Sequence, residues 1–189
     1  MPSVFYLRKV WAACRTRARC DRGQSLIETA VFLPLLILLI AYAIDFGYFF
    51  FVAVNLATAT RGAVEYSVQG YNAPGQTSLP AAGPMSNTSS VAGLASADLS
   101  GLAAYATATS VQVCSKQIGV TNSGVAECMT YGNSGSGYTP SRDPEAPTFV
   151  LQRVDVTYTV QPPIPLNFFS MSLLPVLNFH RQVSMRALD

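Results

Sequence analysis

The chain has 189 residues, half of them apolar and only 12% charged, about half the charged share usual in a soluble globular protein. With 13 Gly and 12 Pro it is neither collagen-like nor disordered throughout. A net charge of +2 conceals a +5 leader over residues 1–23 and a −3 remainder. Basic charge set in front of an apolar run, rather than across a folded face, excludes a nucleic-acid binder and points to a membrane-anchored protein.

The leader carries Arg8, Lys9, Arg15, Arg17, Arg19 and Arg22 against Asp21 alone. Its Cys14 and Cys20 are expected to stay reduced on the cytoplasmic side, and their spacing lacks the companions a zinc site needs. From Ala30 the sequence AVFLPLLILLIAYAI is uncharged as far as Ile44, and after Asp45 the apolar character resumes up to Asn55. About 20 helical residues cross a ~30 Å hydrocarbon core, so this stretch predicts a transmembrane helix over about 30–50. Cationic flanks stay inside, which predicts a single-pass protein with a cytoplasmic N-terminus and the residues beyond about 50 on the outer side. Asp45 is then expected near the outer interface, where solvation lowers its cost. Ala41-Tyr42-Ala43 fits a signal-peptidase site, but the long basic region and the apolar run beyond it speak against a cleaved secretory signal.

Where leader meets helix stands Arg22-Gly23-Gln24-Ser25-Leu26-Ile27-Glu28. Gly23 has no side chain, so a membrane peptidase can bring its catalytic groups against the backbone there. Cutting after it removes the +5 leader and leaves an α-amine on Gln24. Glu28 lies one turn further on, where a helix start favours a carboxylate. Gly followed five residues later by Glu and a long apolar helix resembles a type IV prepilin processing site. The wider stretch 22–66 looks like the N-terminal region of TadE-like minor pilins of the tight-adherence (Flp) pilus system. RGQS at the junction, Glu28, Leu33-Pro34, Ile44-Asp45-Phe46-Gly47 and the Ala-rich turns up to Arg61 carry that resemblance. Thr29 stands after Glu28, where the family usually has an aromatic.

The resemblance implies cleavage between Gly23 and Gln24 by a prepilin peptidase, and Glu28 neutralising the N-terminal amine of a neighbouring subunit. It implies other pilins, the assembly platform and inner-membrane lipid as partners, with no cofactor. Two alternatives stay open. One is an uncleaved single-pass anchor presenting a periplasmic binding domain, and the other is a secretion-system pseudopilin.

Past the membrane, Val52, Leu56, Ala59, Ala63 and Tyr66 recur at steps of 4 and 3, so the helix is expected to continue from Glu28 to about Val68 with a narrow apolar stripe. Residues 69–110 read as a loop or linker, rich in Gly, Pro, Ser and Asn up to 90, with a short helix over 91–106. Residues 111–189 read as an exported antiparallel β domain. Strands are expected at 109–116, 125–131, 153–161 and 177–187, the third showing clean alternation of Val154, Val156, Tyr158 and Val160 with polar residues. Cys114 and Cys128 flank a turn-forming stretch, and an oxidising compartment permits a disulfide closing that hairpin. Arg181 interrupts the apolar face of the last strand, which predicts an edge position. The apolar connection 162–175 either caps the sheet or offers a docking surface.

The fold class expected is therefore α+β, a long N-terminal transmembrane helix continuing into a small antiparallel sheet, the lollipop plan of pilins. The single histidine, His180, is expected on the exposed face, and Asp143 and Glu145 in a solvated Pro-rich loop. No phosphate loop, HExxH pair, nucleophile elbow or Cys/His ligand set appears, so neither catalysis nor a metal is expected.

Overall fold

The computed structural model describes the backbone of residues 17–69, 78–133, 137–146, 148–164, 167–168, 171–172 and 175–186. The chain divides into two compact units between Phe46 and Gly47. Helix α1 spans Arg17–Val68. It starts eleven residues before Glu28, the start expected from the sequence, because nothing in 17–28 stops a helix: Arg and Ala are good helix formers, and the only proline within the helix is Pro34. Pro34 sits inside the helix and cannot donate to the carbonyl of Ala30.

In the first unit the side chains from Ser25 to Ile40 are exposed. Leu26, Val31, Phe32 and Ile37 are 58–72% exposed, and the stretch from Ser25 is long and apolar enough to cross a membrane. Asp45 is fully buried, a correction to its expected solvated position. The reason is its phase: it continues, one turn earlier, the stripe of Phe49, Val52, Leu56, Ala59 and Ala63, all of them buried.

The second unit is a four-stranded antiparallel sheet with residues 49–64 of α1 packed on one face. Its strands are β1 (Thr109–Cys114), β2 (Cys128–Gly132), β3 (Leu151–Val160) and β6 (Leu177–Arg186), in the order β2-β1-β3-β6. The short β4 (Asn167–Phe168) and β5 (Met171–Ser172) pair with each other, and the side chains of 165–174 in the 162–175 connection lie outside the described residues. The core joins the α1 stripe to Val111 and Val113 of β1 and to Val154, Val156, Tyr158 and Val160 of β3. The four expected strands and the helical stripe are thus found, and β6 lies at an edge with Arg181 exposed.

Helix α2 (Val91–Asp98) closes the core through Val91, Ala92, Ala95 and Leu99. Ser90 caps it, its Oγ accepting from Gly93 N–H at 3.0 Å. Gly93 is required here, since a Cβ would meet the carbonyl oxygen of Asn87. The helix expected over 91–106 is broken in two, because Ala104 takes a positive φ of 55° before the single turn α3 (Tyr105–Ala108). Tyr158 reaches across β3 to donate its hydroxyl proton to Ala103 O, which ties this break to the core. Burial, assisted by Tyr48, pushes the Tyr158 hydroxyl pKa well up.

Cys114 and Cys128 sit directly opposite each other in the β1–β2 register and form a disulfide. The bond closes a loop with a sequence separation of 14 residues, which the chain-entropy picture values at about 3 kcal/mol. A Cys114→Ser/Cys128→Ser protein in detergent should lose about that much, read as a lowered thermal midpoint under non-reducing conditions. An unchanged midpoint would show that the hairpin does not depend on the bond.

Candidate functional site

Gly23, Gln24 and Glu28 all lie on α1, within its first four turns. Glu28 lies five positions after Gly23, about 7.5 Å along a helix axis. Glu28 is exposed, and the side chains of Gly23 and Gln24 fall outside those described. Thr29, after Glu28, turns its hydroxyl back to donate to Ser25 O at 2.8 Å. That bond competes with the backbone ladder of the same turn, as Ser and Thr inside helices do. A carboxylate near the start of an apolar helix, flanked by exposed Leu26, Ile27, Val31 and Phe32, suits an ionic contact made within lipid or between helices.

The opposite face of the sheet holds a second polar constellation that sequence reading missed. The segment 137–150 folds over it. Gln112 of β1 makes two bonds to Tyr138: its Oε1 accepts from Tyr138 N–H at 2.7 Å, and its Nε2 donates to Tyr138 O at 3.1 Å. Arg153, almost wholly buried, donates to Thr139 O at 2.6 Å and to Asp155 Oδ2 at 2.5 Å. Asp155 also accepts from His180 Nε2 at 3.0 Å, and the His180 ring stacks on Tyr138 with centroids 3.8 Å apart. His180 does lie on the face opposite Phe179, as expected, but it is part of this network rather than simply solvated.

Asp143 and Glu145 are likewise drawn in. Asp143 is buried and receives Arg186 in a two-pronged pair at 2.8 and 2.9 Å, while Glu145 takes the third contact at 3.2 Å. Arg186 lies 5.3 Å over the Phe149 ring. The sequence carried one signal of this face: Arg153 and Asp155 are two apart on a strand, so they share a side and can pair. Its groups are engaged with one another and with backbone, which makes it a structural strap rather than a reactive centre. Among the described residues no three His, Cys, Asp or Glu side chains converge as a metal site.

Residues 23–65 match the family model described as TadE-like protein. The match opens on Gly23 itself and covers about a quarter of the chain, the apolar helix and its continuation into the second unit. Over that segment the chain is similar to TadE-like proteins of the tight-adherence pilus system. No curated protein and no solved structure matches the chain.

The strap carries a pH dependence. The Glu145 backbone N–H, helped by the Arg186 guanidinium, holds the Asp143 carboxyl below its usual range despite the desolvation that opposes it. A carboxyl with a depressed folded pKa stabilises fully above its unfolded value near 3.9, and that stabilisation is lost as pH falls through the folded value. The thermal midpoint should therefore drop below about pH 4, and Asp143→Asn should flatten part of that drop. Identical acid profiles for the two proteins would remove Asp143 from this role.

Proposed function

We propose that this protein is a minor pilin of a tight-adherence (Flp-type) adhesive pilus, held in the inner membrane until a prepilin peptidase cuts between Gly23 and Gln24. The observation that carries the reading is the junction: a +5 leader, Gly23, Glu28 and an outward-turned apolar helix, coinciding with the first residue of the TadE-like match. The basic leader keeps the N-terminus cytoplasmic, and the sheet unit with its disulfide stands on the periplasmic side, where an oxidising environment permits the bond. The protein then acts as a structural part of pilus assembly, with other pilins and the assembly platform as partners.

Three groups have roles in this reading. The Gly23–Gln24 bond lies inside α1, so cleavage requires the helix to open locally. Gly23 eases that opening, being roughly 1 kcal/mol worse in a helix than Ala, and leaves room for the peptidase. Glu28 meets the new amine of Gln24 on a neighbouring copy. At 4 Å such a pair gains about 4 kcal/mol at an effective dielectric near 20, from which desolvation is subtracted. The apolar face of residues 26–40 exchanges lipid for other helices as the subunit enters a filament.

Intact-mass measurement on protein extracted from membranes of cells with an active prepilin peptidase tests the reading. A chain beginning at Gln24 is expected, with Gly23→Val left at full length. Wild-type protein retaining Met1 in such cells would instead support an uncleaved anchor.

A further inference from the structure

The two edges of the sheet are unlike each other and complementary. On β6, Phe179, Arg181, Val183 and Met185 share the helix-facing side, since they pair with Tyr158, Val156, Val154 and Gln152 of β3. This puts the guanidinium-bearing Arg181 in an otherwise apolar row beside α1. Between α1 and β6 runs a groove of about 650 Å³, walled by Val54, Ala57, Val183 and Met185 and bearing Arg61 and Arg181. Arg61 pairs with exposed Glu65 at 3.1 Å, and Arg181 makes no ion pair among the described residues.

The far edge, β2, carries the opposite character. Met129 and Tyr131 pair with Val113 and Val111, so they too face the helix side. Met129 is 51% exposed. Glu127 continues the same alternation one step earlier: it is exposed, and its carbonyl accepts from Ser115 N–H in extension of the β1–β2 ladder. Glu127 makes no ion pair among the described residues. Val125 follows at the next step on that side.

We propose that copies of this chain join edge to edge, β2 of one copy adding as a fifth strand to β6 of the next, with Glu127 entering the groove between Arg181 and Arg61. The directions allow it without any reversal. All neighbouring strands are antiparallel, so β2 and β6 of one copy run in opposite senses. A neighbour standing in the same orientation therefore presents its β2 antiparallel to β6, with its helix face on the same side. Placing Glu127 opposite Arg181 sets Met129 opposite Phe179, Val125 opposite Val183, and Thr130 opposite Asn178. Main-chain bonds supply the adhesion and the alternate side chains the selectivity, as in other strand additions. Two different edges in contact make a heterologous joint, which leaves a free edge at each end and continues as an open row. This deepens the assembly reading and rests on it only in placing the copies side by side.

The test uses the full chain in native membranes, in a Cys14→Ser/Cys20→Ser background that keeps the native disulfide. Thr130→Cys and Asn178→Cys are introduced together, since side chains directly opposite on antiparallel strands come within disulfide reach. Mild oxidation should give a ladder of dimers, trimers and higher species on a non-reducing gel, and neither single cysteine should do so. Arg181→Glu or Glu127→Arg should each cut the ladder about tenfold, and the double exchange should restore it, which separates a lost contact from a lost fold. Cross-linking by Asn178→Cys alone, capture of a different protein in place of a second copy, or a ladder indifferent to both charge reversals would overturn the proposal. Intact mass on the same samples reads the Gly23–Gln24 bond independently. A ladder of uncleaved chains keeps the pairing without the processing, and cleaved chains without a ladder do the reverse.

Discussion

The first unit exposes more apolar surface than water tolerates, and that constraint governs the rest of the protein. Side chains such as Leu26, Ile27, Val31 and Phe32 each leave more than half of themselves uncovered on α1. At about 25 cal/mol per Å², leaving a row of such side chains in water costs tens of kcal/mol, more than a small domain's whole stability. The helix therefore needs lipid or other helices around it. The TadE-like match lies on this same helix, from Gly23 to Glu65.

The second unit solves the opposite problem, that of making a small sheet stand on its own. One face is dry, with small residues Ala59 and Ala63 letting α1 approach the valines of β1 and β3. The other face is covered by the strap, held by paired charges and side-chain-to-backbone bonds, with Tyr138 stacked on His180 and Val150 buried. Arg153, Asp155, Asp143 and Gln112 are buried there and satisfied by one another or by the strap, the condition under which buried polar groups are tolerated. The disulfide then fixes the β1–β2 hairpin at its mouth.

Much of this was legible in the amino-acid order because burial leaves a period. The steps of 4 and 3 from Val52 to Tyr66 mark the packed side of α1, and the two-residue alternation of 154–160 marks the core side of β3. The cysteine pairing followed from the turn between two strands. What escaped was polar burial. The polar residues alternating with Val154, Val156 and Tyr158, Asp155 among them, fit the pattern of a strand with one solvated face, whereas β3 is covered on both sides. Asp143 read as solvated because a Pro-rich segment has no period to reveal what it covers, whereas Glu145 beside it is exposed as expected. Asp45 was misplaced for the converse reason: its charge outweighed its phase on the buried stripe. At the junction, the pattern of Gly23 and Glu28 was legible as a motif, while the helix running back through it to Arg17 was not, since no cap or proline marks a boundary there.

Cysteine-accessibility scanning of residues 25–60, one site at a time in native membranes with a membrane-impermeant thiol reagent, tests the central claim most directly. The account predicts a protected window over about 30–50, the ~20-residue length of a spanning helix, and reactivity returning on the sheet side of it. Uniform labelling across that window would show that water, not lipid or helix, surrounds the apolar rod.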